Sequence, residues 1–366
     1  MVTIEEFLQM FRSKDTRIGY KTSLKQFFEV VGIPLSEYFN NGRRYENDVI
    51  AFLNYMENEG MKPKSIQCKL GAVRSYLVEN EVDLPRRFWK RLKINGQAVT
   101  KDRLFTKQEL RMIFDHMDLV ARAIAFVQLS TALRIGDVLQ IKRSDLHLTD
   151  KYPARFYYMN HKIRRYCVAF LTEEGRKTIE EWLKVREEWI MKYIWFNAVH
   201  KGLTDLGFEE FCEEKKLDNL LFPIRKSSVY RRWWVALDSA GLNERDPTTN
   251  RRVFHTQTFR QYMKSWCGKE LKPQVVECLL GHTGGLNNIE TVYNRYGSDC
   301  EESLAQDFLK VEHLLSLNGD EVQSRNKIEN LIETIEKQQK IIDEMINRDL
   351  DKEWERKFVL NRKHFQ

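Results

Sequence analysis

The chain has 366 residues, 42% of them hydrophobic, and a formal net charge of +7; that is enough for two or three domains with their own cores. No run approaches eighteen consecutive apolar residues, so no membrane span is predicted. The six cysteines (Cys68, Cys167, Cys212, Cys267, Cys278, Cys300) are scattered with no C-x-x-C pair, which argues against a zinc knuckle or a disulfide framework and for reduced, mostly buried thiols.

The opening, MVTIEEFLQMFRSKD, is acidic, then basic, and amphipathic, unlike a secretory leader; a cytoplasmic, nucleoid-associated protein is expected. Residues 1–94 read as a helical unit. Apolar residues recur at helical spacing in Thr16–Val31 (Tyr20, Leu24, Phe27, Phe28, Val31), in Tyr45–Glu59 (Val49, Phe52, Leu53, Met56) and in Lys64–Glu79 (Ile66, Leu70, Val73, Leu77). Turn signals at Gly32–Pro34, Asn41-Gly42 and Gly60–Pro63 separate them. A bundle of about four helices is the simplest packing.

The stretch Pro85–Arg103 carries Arg86, Arg87, Lys90, Arg91, Lys93, Lys101 and Arg103 against the single acid Asp102. It reads as a basic connection, with the linker proper over 95–103. So one-sided a charge predicts phosphate contact, above all from Arg86, Arg87, Lys90, Arg91 and Lys93.

A second unit, 104–316, opens on T-K-Q-E at Thr106–Glu109, a capping-box signature. Helical patterns follow over Leu110–Met117 and Val120–Ser130. Ala154–Asn160 and Ile163–Leu171 then alternate as two strands around a His161-Lys162 turn. Helices return at Glu173–Phe196, Ser228–Ala240 and Phe259–Lys269, and Glu301–Ser316 is amphipathic. The expected fold class is therefore mainly α with a small β-sheet. Residues 317–366 form a charged tail in which Ile328, Ile332, Ile335, Gln339, Ile342 and Ile346 make a coiled-coil-like heptad seam. That tail either packs on its own chain or self-associates.

No metal-ligand motif, P-loop or Gly-rich dinucleotide turn is present, and neither G-x-S-x-G nor H-E-x-x-H occurs. No cofactor, bound metal or small-molecule substrate is expected. What remains is a set of basic residues and tyrosines. In S-T-A-L-R-I-G-D (130–137), Arg134 follows an apolar helix, and Asp137 opens the next. Such an acid can hold the guanidinium or cap the helix, leaving the fork aimed at an oxyanion.

This string resembles the first arginine box of the tyrosine recombinase (phage integrase) family, which includes Cre, the Xer proteins and archaeal-type integrases. Further boxes follow in the family's order. Lys162 lies at the hairpin turn, H-T-Q-T-F-R over 255–260 resembles the second box, and L-L-G-H over 279–282 resembles the L-G-H motif. N-I-E-T-V-Y over 288–293 then supplies the candidate nucleophile, Tyr293. At the second box Gln257 stands where the family carries histidine, and His255 lies two residues earlier. Tyr296, one helical turn beyond Tyr293, is the alternative nucleophile.

The resemblance covers roughly 104–315, and the amino-terminal unit only in type. It implies a helical core-binding (SAM-like) domain over 1–94 and a mixed α/β catalytic domain over 104–316. It also implies double-stranded DNA as partner, a homo-tetramer on paired sites, and DNA integration or excision through a 3′-phosphotyrosine. The implied catalytic set is Arg134, Lys162, Gln257, Arg260, His282 and Tyr293. A type IB topoisomerase, or a DNA-binding architectural protein with a weakened site, is the alternative.

Overall fold

The structure is a computed structural model. It describes residues 2–39, 43–92, 103–160, 165–200, 219–281 and 299–318, with 335 and 337–340. The chain divides into two compact units, 1–101 with 245–251, and 102–244 with 252–366.

Among the described residues, six helices make up the first unit: α1 (Ile4–Gln9), α2 (Lys14–Val31), α3 (Leu35–Tyr38), α4 (Tyr45–Asn58), α5 (Pro63–Glu79) and α6 (Arg86–Arg91). Their ends follow the local chemistry. Thr3 and Glu6 close a capping box on α1, Ser13 caps α2, and Pro63 opens α5 at a position that needs no backbone donor. Gly32, at φ 72°, ends α2 in the left-handed region. The periodic positions Leu24, Phe27, Val49, Phe52, Met56, Leu70, Val73 and Leu77 are all buried together, as their spacing predicts. Edge-on aromatic pairs, such as Phe27–Tyr38 and Phe27–Phe52, fill the centre. Tyr76 donates to the carbonyl of Val2 at 2.8 Å and ties the start of the chain to α5.

One segment departs from expectation. Residues 86–91 are a helix and not a loop, because Phe88 is buried in this core while Arg86, Arg87, Lys90 and Arg91 stay exposed. Lys93 and the linker residues 95–102 lie outside the described residues.

The second unit holds α7 (Lys107–Asp115), α8 (Leu119–Thr131), α9 (Ile135–Val138), β1 (Leu146–His147), β2 (Arg155–Asn160), β3 (Arg165–Phe170), α10 (Glu173–His200), α11 (Lys226–Ser239), α12 (Thr258–Cys267), α13 (Pro273–Leu279) and α14 (Asp299–Leu315). The Thr106/Glu109 capping box forms as its sequence predicts. The sheet is antiparallel in the order β1-β2-β3, with Phe156 opposite Ala169 and Asn160 opposite Arg165. β1, only two residues long, has no alternation by which the sequence could announce it.

Both α8 and the hairpin run between two apolar clusters. Ala121, Ala125, Phe126 and Leu129 of α8 join one cluster with Val168 and Phe170. Val120, Ala123, Ile124 and Val127 join the other with Phe156, Tyr158, Cys167 and Ala169. A helix apolar all round is a central helix, and a sheet covered on both faces is a buried one. Cys167, Cys267 and Cys278 are buried thiols as expected, Cys68 is exposed, and Cys212 lies outside the described residues.

α14 lies on its own unit. Leu304, Ala305, Phe308, Val311 and Leu315 enter the first cluster, Tyr262 donates to the carbonyl of Leu314 and Lys107 to that of His313. Of the heptad seam, only Ile335 and residues 337–340 are described, and they are helical.

Candidate phosphate-binding site

The site grows from the carboxyl end of α8. Asp118 caps the start of that helix; at its end, Ala132 turns left-handed (φ 53°) with its amide on the carbonyl of Gln128. The Gln128 side chain donates to the carbonyl of Leu133 at 3.1 Å, and Thr131 accepts from the Leu133 amide at 3.2 Å. Buried polar bonds of this kind hold a loop to one shape. Arg134 follows as the residue that opens α9, and Asp137, buried in the first turn of α9, bonds its own amide to the Arg134 carbonyl at 2.8 Å.

Arg260 arrives from α12. Its Nη1 donates to the carbonyl of Ala132 at 2.7 Å and its Nη2 to that of Leu280 at 3.0 Å. One guanidinium thus joins the end of α8 to the end of α13, and the two bonds fix the plane of its fork. Burial, and next the neighbouring charge of Arg134, push the Arg260 guanidinium below its ordinary range, while Tyr158 and Asp137 act the other way. Arginine remains charged under such shifts. Two cations held close in a partly buried site favour an anion between them.

Gln257 sits at the opening of α12, exposed, and its carbonyl accepts from the Arg260 amide at 3.0 Å. Three residues apart on a helix, Gln257 and Arg260 share a face. His255 is half-buried in the preceding loop, its amide on the Thr258 hydroxyl and its carbonyl taking the Thr258 amide. Of the remaining candidates, Lys162, His282, Tyr293 and the alternative Tyr296 lie outside the described residues.

The flanks of two of them do meet. Asn160, the last residue of β2, is buried and donates from Nδ2 to the carbonyl of Gly281 at 2.9 Å. Gly281 has φ +66°, and a Cβ there would come within 2.5 Å of the Tyr158 hydroxyl. The glycine ahead of His282 is thus required twice over, by backbone conformation and by close approach. Motif reading singled out neither Asn160 nor Tyr158, nor the Ala132 carbonyl; of these contacts, only the glycine inside L-G-H left a signal in the sequence.

Among known proteins, no family model and no curated protein matches the chain. Solved structures do. A lambda integrase (75–356) dimer bound to a COC′ core site aligns over 80% of this chain and 94% of its own, at 14% identity and TM-score 0.53. A lambda integrase tetramer bound to a Holliday junction aligns over 82% of this chain and 74% of its own, at 15% identity and TM-score 0.52. The fold is that of lambda integrase. It is mostly helical with a small antiparallel sheet, as the motif resemblance implied, and it survives here with about one residue in seven in common.

Proposed function

We propose that the chain is a tyrosine site-specific recombinase, which cuts and rejoins duplex DNA in the integration or excision of a DNA segment. The observation that carries this reading is the Arg260 guanidinium, bonded at once to the Ala132 carbonyl two residues before Arg134 and to the Leu280 carbonyl of the L-G-H segment. The lambda integrase fold, seen in structures bound to a core site and to a Holliday junction, supports the same substrate class.

In this reading a duplex phosphate lies against both guanidiniums, whose paired donors take its non-bridging oxygens. The hydroxyl oxygen of Tyr293 bonds to phosphorus, the bond from phosphorus to the 5′-oxygen breaks, and the 3′ side of the DNA stays on the tyrosine. His282 takes the phenol proton, and Lys162 gives the departing 5′-oxygen a proton as general acid. Gln257 donates a hydrogen bond to the phosphate, since an amide moves no proton near neutral pH. One phosphodiester is exchanged for another of similar energy, so rejoining is the reverse step and needs no nucleotide hydrolysis or metal.

The helical unit 1–94 serves as the core-binding domain and 104–316 as the catalytic domain. The exposed Arg86, Arg87, Lys90 and Arg91, with Lys93, contact backbone phosphates. The chain works as a homo-tetramer on paired sites. The test is to select binding duplexes from a randomised pool, nick them beside each phosphate in turn, and look for an adduct that survives denaturant. An adduct supports the reading, and binding with no adduct on any nicked duplex contradicts it.

A further inference from the structure

The strand β2 holds more than the hairpin. Its alternation puts Asn160 with Phe156 and Tyr158 on one face, and Arg155 with Tyr157 on the other. Asn160 bonds Gly281, the residue before segment 282–298. At the other end of the strand, Arg155 bonds the helix that begins after that segment. Its Nη1 donates to Glu301 and to Glu302, each at 2.6 Å, and Tyr157 donates to Glu301 at 2.8 Å. The Arg155 side chain is 1% exposed, against 19% for Glu301 and 55% for Glu302. Its guanidinium lies over the Phe170 ring, which in turn packs on Phe308 of α14.

A buried arginine among carboxylates is a poor way to gain stability. Taking the charge out of water is costly, and an apolar side chain of similar volume often does as well or better. What such a group supplies is a fixed geometry. Here the geometry is a bracket: Gly281 and Glu301, which flank in sequence the stretch that contains His282 and both candidate tyrosines, are tied to opposite ends and faces of one strand. Those ties are about 17 Å apart along it, five steps of a strand rise.

We infer that Arg155 is a positioning residue for strand cleavage, holding the start of α14, and with it the carboxyl end of the nucleophile-bearing segment, against the sheet that carries Lys162. This rests on the recombinase reading. The Arg155 guanidinium touches no reacting atom in this account; it acts through the segment that Glu301 and Glu302 anchor.

The experiment compares wild type, Arg155→Met, Arg155→Lys and Lys162→Ala for DNA affinity, melting temperature and single-turnover cleavage at saturating nicked duplex. Each is run on ordinary DNA and on DNA with sulfur replacing the bridging 5′-oxygen, a leaving group that needs no proton. Arg155→Met is expected to bind DNA as wild type does and to cleave at least about tenfold more slowly on both substrates. Arg155→Lys restores much of the rate, and only Lys162→Ala is rescued by sulfur. Wild-type cleavage by Arg155→Met at saturating DNA overturns the inference, and so does a deficit that sulfur abolishes. Should Arg155→Met not fold, Glu301→Gln/Glu302→Gln, which keeps the arginine and removes the opposing charges, carries the same expectation and the same refutation. No adduct from wild type on any duplex instead overturns the recombinase reading itself.

Discussion

Arg260 donates to the carbonyl oxygen of Ala132 across 128 residues of chain, and Ala132 stands two residues before Arg134. The orientation of one arginine is thus built on the loop that presents the other. Lysine at 260 keeps the charge but loses the planar fork, and cannot bond two carbonyls while facing a phosphate. Arg260→Lys is expected to lower single-turnover cleavage by roughly 10²–10³-fold, the usual cost of one transition-state donor, with DNA affinity changed only a few-fold. A gel assay of cleavage beside a binding titration checks both.

Gly281→Ala should destabilise the protein by roughly 2–3 kcal/mol, from left-handed backbone strain and the contact with Tyr158 together. Removing the Tyr158 hydroxyl relieves the contact but not the backbone. Tyr158→Phe in the Gly281→Ala background therefore recovers part of the loss and leaves about 1–2 kcal/mol. Denaturant unfolding of the single and double variants measures it, and simple additivity of the two changes would contradict the contact.

The pH dependence of stability follows from Glu301. Burial raises its pKa, but the hydrogen bonds from Arg155 and Tyr157, with the charges of Lys151 and Arg155, outweigh that and leave it below 4.5. A carboxyl depressed on folding contributes stability that is complete above its unfolded pKa and is lost as pH falls through the folded one. Melting temperature should fall as pH drops below the ordinary carboxylate range, and Glu301→Gln should blunt that fall. Equal slopes for the two proteins would remove Glu301 from the account.

Arg86, Arg87, Lys90 and Arg91 stand exposed on α6 around the buried Phe88. If each neutralises one phosphate, changing all four to alanine should flatten the slope of log affinity against log salt by about 3–4, at about 0.9 per contact. An unchanged slope assigns the contacts elsewhere.

How much of this was legible in the sequence depended on how local each signal is. The capping box at Thr106–Glu109, the alternation of Phe156 and Tyr158, and the periodic apolar residues of α2, α4 and α5 depend on near neighbours, and the structure keeps them. α6 was hidden because four of its six residues are basic and its single deep anchor, Phe88, gives no period. Nothing local marks Arg155 as buried, since the carboxylates that permit its burial lie 146 and 147 residues away. The packing of α14 on its own unit is likewise a matter of which surface receives an amphipathic face, and amphipathicity alone names no surface. At the candidate site, motif order pointed to Arg134 and Arg260. The carbonyls of Ala132 and Leu280 that orient Arg260 are backbone groups, which no motif can name.

Every proposed step passes through a covalent bond between DNA and one tyrosine. The measurement that bears on it most directly is adduct formation on a nicked duplex by wild type, Tyr293→Phe and Tyr296→Phe, with the modified peptide sequenced. The account predicts an adduct on Tyr293 in wild type, its loss in Tyr293→Phe and its retention in Tyr296→Phe. An adduct that survives both substitutions would contradict it.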